Sequence, residues 1–271
     1  TVRGRKKLTR LLDWVSRTGA DSVTVATPFL AEFIKRNYPH FKIKIGIFAN
    51  IDNPDRARFW EDCGADMLTL ESFSINRDFE TLRAIREAVA CRLQLIANFS
   101  CLPRCPLQIY HMVCISHASA AGRSRSFIDY SVLQCSYRIL KDPRLLIASQ
   151  WIRPEDIPVY EGLGYTDFKL LERNAPTETM VMRTRAYAEQ SSPSNLLDLI
   201  QPFGFRSSSR NRTGYIVRCL RHCLGLGIDI RALRALLKKR GLIYSQKSSP
   251  VRLASDAIPD NFLRSIGGAV C

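Results

Sequence analysis

Residues 42–70 read KIKIGIFANIDNPDRARFWEDCGADMLTL, and this stretch decides the predicted fold. It begins and ends with short apolar runs, residues 42–48 and 67–70, that are typical of buried parallel strands. Between them, Asn53 and Pro54 open a helix, because proline is favoured at the first helical position. A strand, a helix and a second strand in this order predict a parallel βα unit.

The same alternation extends over most of the chain outside this unit. Further strands are predicted at residues 22–27, 93–99, 146–152 and 167–171, and further helices at residues 28–37, 78–89 and 154–163. Six strands fit either an open doubly wound sheet or an eight-stranded barrel whose first strands lie upstream of Thr1. A first residue other than methionine favours the barrel. The expected fold class is therefore α/β, a TIM-type (β/α) barrel that lacks its first strands.

The composition describes a chain that can fold around a core. Of its 271 residues, 46% are hydrophobic, which excludes a chain that is disordered throughout. No apolar run reaches the ~18 residues of a membrane span, and residues 1–20 are basic and polar rather than signal-like. We therefore expect a cytoplasmic protein without a membrane span. The net charge of +15 suggests an anionic partner.

The positive charge is concentrated near the C-terminus. Residues 191–271 hold 13 Lys and Arg against 4 Asp and Glu, a net charge of +9. The Ser- and Pro-rich stretch at 191–194 is typical of a linker, so we predict a partial barrel at 1–190 and a basic helical C-terminal region after it. Two helices predicted there, at 215–226 and 229–240, carry either a solvated face or a patch for the RNA backbone.

Common phosphate-binding and hydrolase motifs are missing from the sequence. It contains no GxGxxG and no GxxxxGK[ST], so a dinucleotide or ATP site of those types is unsupported. It also contains no GxSxG elbow, no HExxH and no recognisable Ser/His/Asp constellation. These absences argue against the common nucleotide-dependent and hydrolytic sites.

Four of the nine cysteines fall within 35 residues and follow the fourth predicted strand. They are Cys101, Cys105, Cys114 and Cys135. Loops after strands are where barrels place their chemistry, and four thiolates commonly hold an iron–sulfur cluster. The nearby His111 and His117 are candidate catalytic residues, as proton donors or substrate contacts.

The cysteine pattern is compatible with more than one kind of site. Disulfides are disfavoured, because no export signal is visible and the number of cysteines is odd. A zinc site would use Cys101, Cys105, Cys114 and His111. The CxxxCxxC motif of radical enzymes that use S-adenosylmethionine fails, because position 108 is Gln. Buried thiols also pack as small apolar residues, which is the favoured interpretation of the helical Cys63 and Cys91.

Several stretches of the chain resemble one known family. Residues 98–117 (NFSCLPRCPLQIYHMVCISH), 151–156 (WIRPED) and 162–173 (GLGYTDFKLLER) are similar to segments of the collagenase-like peptidase family, peptidase family U32. A helix predicted over residues 71–79 (ESFSINRDF) resembles the segment before the cysteines in that family. The resemblance covers roughly residues 15–200, with a further likeness at residues 258–263.

The resemblance implies a TIM-type barrel and, from the family name, proteolysis. Several members are iron–sulfur proteins that support oxygen-independent hydroxylation of the ubiquinone precursor ring or of bases in transfer or ribosomal RNA. Four cysteines hold the cluster in those relatives. By position Cys101, Cys105 and Cys135 match, with Cys114 as the fourth ligand.

The expected function follows from this resemblance. The chain is expected to be a 4Fe-4S enzyme or accessory protein that supports hydroxylation of an RNA base or an aromatic metabolite. Its expected partners are RNA or an anionic small molecule, and a second protein of the same family. A collagenase-like protease, which is a hydrolase, and a truncated, non-catalytic barrel are the alternatives.

Polar side chains at the ends of predicted strands are expected to line the barrel mouth and to bind substrate. They are Asn50, Glu71, Asn98, Arg153, Lys169 and Arg173. The cations Arg153, Lys169 and Arg173 suit an anionic substrate or a small carboxylate cofactor, because arginine forks match carboxylate and phosphate geometry. Alternatively, charges of this kind form structural ion pairs.

Overall fold

The computed structural model describes residues 2–120, 131, 134, 135, 138, 139, 142, 144–171, 175–192 and 196–200. The chain divides into two compact units, and each is described by itself. Unit 1 consists of residues Thr1–Pro106 and Ala148–Pro202, and unit 2 of residues Leu107–Ile147 and Phe203–Cys271. The predicted C-terminal helices at 215–226 and 229–240 and the stretch at 258–263 lie outside the described residues. The predicted boundary at residue 190 stays a prediction.

Unit 1 contains a five-stranded parallel sheet. Its strands are β1 (Ser22–Val25), β2 (Lys42–Ile45), β3 (Met67–Thr69), β4 (Arg92–Ile96) and β5 (Asp167–Lys169). They lie side by side in chain order, and each neighbouring pair is parallel. A doubly wound sheet reverses its strand order at a switch point. The described strands show no such reversal, so they do not form a doubly wound sheet.

Helices alternate with the strands along the chain. In chain order they are α1 (Val2–Arg17), α2 (Pro28–Asn37), α3 (Pro54–Asp62), α4 (Phe79–Ala88), α5 (Gln108–Ala120), α6 (Arg144–Ile147), α7 (Ile157–Gly162), α8 (Thr177–Ala188) and α9 (Leu196–Leu199). Of these, α5 and α6 belong to unit 2. Short 3₁₀ turns occupy Ile47–Ala49 and Pro154–Asp156. None of the described helices is both long and apolar enough to cross a membrane.

Local capping chemistry sets the starts of α3 and α4. The Asn53 side chain accepts a hydrogen bond from the Arg56 backbone N–H at 3.0 Å, and Pro54 occupies the first turn. The Asp78 carboxylate accepts from the Thr81 backbone N–H at 3.1 Å. Such caps satisfy donors that the first helical turn leaves without an intrahelical partner. The predicted starts of both helices are confirmed.

One face of the sheet carries the apolar core of unit 1. Successive side chains of a strand point to opposite faces, and alternate residues of the central strands are at most 2% exposed. They are Ile43, Ile45, Leu68, Leu93 and Leu95. Buried residues of α2, α3 and α4 join the same cluster, among them Ile34, Trp60 and Ile85. The helices therefore cover this face, and the remaining residues of the strands point to the other.

The prediction of a strand at residues 146–152 is wrong. The apolar residues at its start lie in α6, and residues 148–150 form a turn and bends. Beyond the bend, the Ile152 backbone N–H donates to the Ala97 carbonyl at 2.8 Å, and β4 pairs directly with β5. A short apolar run does not distinguish a strand from a buried helical turn, and here the helical turn is formed.

The helix predicted at residues 71–79 is also wrong, because the segment before Phe79 forms a series of turns. The Glu71 carboxylate accepts hydrogen bonds from the backbone N–H groups of Phe73 and Ser74 at 3.1 and 3.0 Å. These bonds from an acidic side chain to nearby backbone offer the chain an alternative to helical hydrogen bonding.

The α/β class with a parallel sheet is confirmed, whereas a closed barrel is not. Over the described residues the sheet is open, with β1 and β5 at its edges. The sheet contains five strands in place of the six that the sequence predicts, because residues 146–152 do not join it.

Candidate functional site

The carboxyl ends of the strands bring several predicted site residues to one edge of the sheet. Because all five strands are parallel, Asn50, Glu71 and Asn98 follow strands that end on the same side. Lys169 is the last residue of β5 and is exposed. We call this side of unit 1 the carboxyl edge, and it is where open and closed α/β sheets place their ligands.

Glu71 shapes the backbone at this edge. Its side chain is buried, and its carboxylate also accepts a hydrogen bond from the Ser74 hydroxyl at 2.5 Å. Three bonds from two successive residues hold the turn after β3 in place. The predicted role of Glu71 in substrate binding stays a prediction, and its visible contacts are structural.

Asn98 ties two distant segments to the end of β4. The side chain is fully buried, and its Oδ1 accepts from the Leu171 backbone N–H at 2.7 Å. Its Nδ2 donates to the carbonyls of Leu199 at 3.4 Å and Leu171 at 3.5 Å. The amide therefore positions the segments after β5 and at α9 against the carboxyl edge.

Asn76 is a polar residue of this edge that sequence reasoning missed. Its Nδ2 donates to the carbonyls of Ile96 and Gln150, both at 2.8 Å, and the side chain is fully buried. Its Oδ1, like that of Asn50, is buried without a hydrogen-bond partner among the described residues. The signal in the sequence is weak, because Asn76 is one of three consecutive polar residues between Ile75 and Phe79 in a stretch read as a helix.

Asn50 adopts a left-handed backbone conformation after the 3₁₀ turn that follows β2. Its φ angle is 50°, a region that asparagine tolerates better than most residues. The Asn50 carbonyl accepts from Arg56 Nη1 at 2.9 Å, which links the turn to α3.

Arg153 engages a neighbouring carboxylate. Its Nε donates to Asp156 Oδ2 at 2.8 Å and its Nη2 to Asp156 Oδ1 at 2.5 Å. These hydrogen bonds raise the pKa of the Arg153 guanidinium above its usual value. The predicted role of Arg153 in anion binding stays a prediction, because the side chain forms a structural ion pair in this state. Arg173 lies outside the described residues.

Arg77 is a second cation that the sequence did not single out. Its guanidinium lies over the Trp151 ring, 5.1 Å from the ring centroid, and its Nη2 donates to the Trp151 carbonyl at 2.9 Å. Burial lowers the pKa of Arg77 below its usual value. The residue fixes the WIRPED segment against the turn after β3, so its contacts are those of a positioning group.

The four candidate cysteine ligands are divided between the two units. Cys101 and Cys105 lie in the loop after β4, in unit 1. Cys114, on α5, and Cys135 lie in unit 2. All four are half-buried thiols and none is in a disulfide.

Within either unit, the described residues include no group of three His, Cys, Asp or Glu side chains arranged to hold a metal ion. His111, Cys114 and His117 follow one another at intervals of three residues along α5, which places successive members on neighbouring positions of the helix surface. His111 is half-buried and His117 is exposed. The proposed roles of both histidines stay predictions.

Two other thiols have the features of packed residues. Burial, together with Glu61, raises the pKa of the Cys91 thiol to about 12. Burial also raises the pKa of Cys63, with the charges of Glu32 and Asp62 adding to the effect. A raised pKa keeps a cysteine in its unreactive thiol form. Cys91 therefore serves as an internal control for the candidate ligands.

A serine and a histidine do form a contact, but not at the carboxyl edge. Ser16 Oγ and His40 Nε2 lie 3.0 Å apart, with Ser16 half-buried and His40 exposed. Ser16 belongs to α1, which precedes β1, and His40 precedes β2, so the pair lies towards the amino ends of the strands. In barrels, that end of the sheet serves stability rather than catalysis.

Comparison with known proteins identifies the family. The model of peptidase family U32 matches residues 3–96. The uncharacterized protease MJ1657 of Methanocaldococcus jannaschii is 32% identical over 200 residues, covering 74% of this chain. The chain spans 59% of the length of that relative.

Two solved structures are also similar to the chain, at lower sequence identity than this relative. The U32 peptidase Mk0906 is 26% identical, with a TM-score of 0.47 and 65% of each chain covered. Dihydrodipicolinate synthase from Aquifex aeolicus is 12% identical, with a TM-score of 0.28 over 97% of this chain and 91% of the other. The family match and the curated relative agree with the resemblance noted in the sequence, and the chain belongs to peptidase family U32, whose model it matches over residues 3–96.

Proposed function

We propose that the chain is an iron–sulfur protein of the U32 family that supports oxygen-independent hydroxylation of an RNA base or an aromatic metabolite. The observation that carries the proposal is the position of Cys101 and Cys105. Both are half-buried thiols in the loop that leaves the carboxyl end of β4, on the side where parallel α/β sheets place their ligands. The proposed fold is a (β/α) barrel, which the sequential strand order supports.

The donor chemistry fits an iron–sulfur cluster. The proposed ligands are the half-buried thiols of Cys101, Cys105, Cys114 and Cys135, and thiolates are the usual ligands of such clusters. When bound, the cluster supplies electron transfer. Surrounding residues shape this edge of the sheet: Glu71 and Asn98 fix the turns beside the loop, and Arg77 fixes residue Trp151.

The proposal predicts that Cys105→Ala loses the cluster. After anaerobic purification and reconstitution, the wild-type chain is expected to hold about four iron and four sulfide per chain. Cys105→Ala is expected to hold clearly less iron and sulfide than the wild type, because it removes one of the four thiolates that commonly hold such a cluster. Iron and acid-labile sulfide are measured chemically, and absorbance near 400 nm is recorded for both proteins.

The matched control is Cys91→Ala, which removes a half-buried thiol whose raised pKa disfavours ligation. This variant is expected to retain the wild-type iron and sulfide content. A wild-type chain that holds no iron after reconstitution overturns the proposal. Equal loss of iron from Cys91→Ala and Cys105→Ala overturns the assignment of the ligands.

A second candidate function is proteolysis, and the name of the family and the name of the curated relative favour it. A peptidase of this kind is expected to cleave denatured collagen or casein, and the cleavage is expected to survive Cys101→Ala. Release of peptides is measured by gel electrophoresis and mass spectrometry. No cleavage by a folded wild-type chain, or complete loss of cleavage in Cys101→Ala, contradicts a mechanism that is independent of the thiols.

A further inference from the structure

Nearly all of the excess positive charge of residues 1–190 lies on the first helix, α1. The helix holds six Lys and Arg and one Asp in its 16 residues. Residues 18–190 hold 21 Lys and Arg against 20 Asp and Glu, so they are almost neutral. The first helix is therefore a separate concentration of positive charge, in addition to the basic region at 191–271.

The charges lie along the side of α1 that faces solvent. The other side of the helix packs on the core of unit 1 through Leu8, Leu12 and Val15. At about 3.6 residues per turn, five exposed residues follow one another along the solvent side. They are Lys6, Lys7, Arg10, Trp14 and Arg17, and we call these five residues the basic face.

The cations of the basic face have no anionic partner among the described residues. None of Lys6, Lys7, Arg10 and Arg17 takes part in an ion pair there. The one acidic residue of the helix, Asp13, is half-buried and accepts a hydrogen bond from the Tyr38 hydroxyl at 2.6 Å. Asp13 thus joins α1 to the end of α2, and the basic face keeps its positive charge.

The placement of the cations is unfavourable for the helix itself. Arg10 lies four residues after Lys6 and three after Lys7, spacings at which like charges repel each other on a helix surface. The first turn contains Arg3 and Arg5 but no acidic residue, although the start of a helix favours anions. Proteins break such local rules chiefly at functional sites. An anionic partner would relieve both kinds of repulsion.

An exposed aromatic ring lies among these cations. Trp14 is 58% exposed, with Arg10 one turn before it and Arg17 one turn after it on the helix surface. Proteins that bind single-stranded nucleic acids combine a positive surface, which follows the backbone, with aromatic side chains on which bases stack. The basic face has both features.

A membrane surface is another anionic partner of basic helices, and the packing of α1 disfavours it. A helix that lies on a membrane inserts its apolar side into the lipid. The apolar side of α1 is buried in unit 1, where Leu12 is 5% exposed. Leu11 and Trp14 are the large apolar side chains of α1 that are exposed, and they offer little surface for insertion.

The start of α1 is the end that lies nearer the carboxyl edge. The Arg5 guanidinium lies over the Phe33 ring of α2, 5.8 Å from the ring centroid. Towards its other end, Ser16 contacts His40, which precedes β2. Because α2 begins after the carboxyl end of β1 and ends before β2, α1 runs beside it in the same direction. The basic face therefore leads towards the carboxyl edge.

We propose that the basic face binds a single-stranded polynucleotide, with its four cations on phosphate groups and Trp14 stacked on a base. Phosphate contacts of this kind supply affinity, and stacking tolerates any base. A strand bound along α1 leads to the carboxyl edge, where a base would be hydroxylated. This last step rests on the proposed function, whereas binding to the basic face requires no cluster.

The test measures the fluorescence anisotropy of a labelled oligouridylate of about 20 nucleotides, bound to the full chain over a range of salt concentrations. Saturable, salt-sensitive binding is expected. Lys7→Gln/Arg10→Gln is expected to weaken it about fivefold or more and to reduce the slope of log affinity against log salt by about 1.4, since each phosphate contact contributes about 0.7. The control Lys42→Gln/Arg83→Gln removes two exposed charges from β2 and α4, and a change of less than about twofold is expected.

The contribution of Trp14 separates a polynucleotide site from a general polyanion site. Trp14→Ala is expected to weaken oligouridylate binding about fivefold or more, because one stacked base is lost, and to leave the salt slope unchanged. The control Phe59→Ala removes a 51% exposed ring from α3 and is expected to have no effect. Inorganic polyphosphate has no bases, so its binding is expected to be insensitive to Trp14→Ala. Oligodeoxyuridylate, which lacks the 2′-hydroxyl, shows whether RNA is preferred to DNA.

Cys105→Ala is expected to bind oligouridylate as the wild type does, so the loss of a cluster and the loss of polynucleotide binding are separate results. Circular dichroism checks that each variant is folded. The proposal is overturned by wild-type affinity in Lys7→Gln/Arg10→Gln, by an equal loss in Lys42→Gln/Arg83→Gln, or by an equal effect of Trp14→Ala on oligouridylate and polyphosphate. Binding to phosphatidylserine vesicles without binding to the oligonucleotides also overturns it, in favour of a membrane surface.

Discussion

Replacing Asn76 with leucine is expected to lower the free energy of unfolding by about 3 kcal/mol. The Asn76 side chain is fully buried, and its Nδ2 donates to the carbonyls of Ile96 and Gln150 at 2.8 Å each. Leucine has a similar volume, so it leaves little cavity, but it leaves the buried Ile96 carbonyl and the part-buried Gln150 carbonyl without this donor. Each such loss costs roughly 1–3 kcal/mol. Urea unfolding followed by tryptophan fluorescence measures the change.

Asn37→Leu is the matched control, because the Asn37 side chain is exposed and donates to the Phe33 carbonyl within its own helix. A change within about 0.5 kcal/mol is expected there. If both substitutions reduce stability by the same amount, the two carbonyl contacts of Asn76 do not account for the loss.

Arg183→Met is expected to reduce stability by about 3 kcal/mol and to expose α9 to proteases. Arg183 is 1% exposed, and its Nε donates to the Asp198 carbonyl at 2.6 Å while its Nη2 donates to the Ile200 carbonyl at 3.0 Å. These charge-assisted bonds hold the segment that Asn98 also contacts through Leu199. Limited proteolysis with peptide mapping, together with urea unfolding, measures both effects.

Arg185→Met, two residues along the same helix, is the comparison for this prediction. Arg185 is exposed, and its Nε lies 3.9 Å from Glu189 Oε1. Exposed ion pairs of this kind contribute about 0–1 kcal/mol, so only a small change is expected. Early cleavage near α9 in Arg185→Met would show that the segment is not held by the buried contacts of Arg183.

The elements that were predictable from sequence are those fixed by local chemistry. The start of α3 is fixed by neighbouring residues, because Asn53 caps the helix and Pro54 occupies its first turn. The alternating apolar residues of the run at 42–48 identify β2. The segment at 146–152 was not predictable, because its conformation depends on partners far away in the chain. Asn76 and Gln150, for example, are 74 residues apart and hydrogen-bonded.

In the candidate site too, features set by neighbouring residues were predictable, whereas those set by distant contacts were not. The strand ends pointed to Glu71 and Asn98, yet Asn98 contacts Leu199, 101 residues away, so its positioning role could not be inferred. Lys44 lies within a run read as a buried strand, yet it is half-buried between the fully buried Ile43 and Ile45. Cys101 and Cys105 lie in the loop after β4, as the sequence indicates, while the binding of a cluster by the four cysteines stays a prediction.

The sequential strand order has a consequence for how unit 1 folds. Paired residues of β1 to β4 are 20 to 25 positions apart in the chain, whereas Gln94 of β4 and its partner Asp167 of β5 are 73 apart. Loop closure costs more entropy for the longer separation, and folding slows as contacts become less local. We expect β1 to β4 to assemble stepwise as the chain leaves the ribosome, with β5 docking last. The family model ends at residue 96, the last residue of β4, so the part of the chain that it matches is also the part that folds through local contacts.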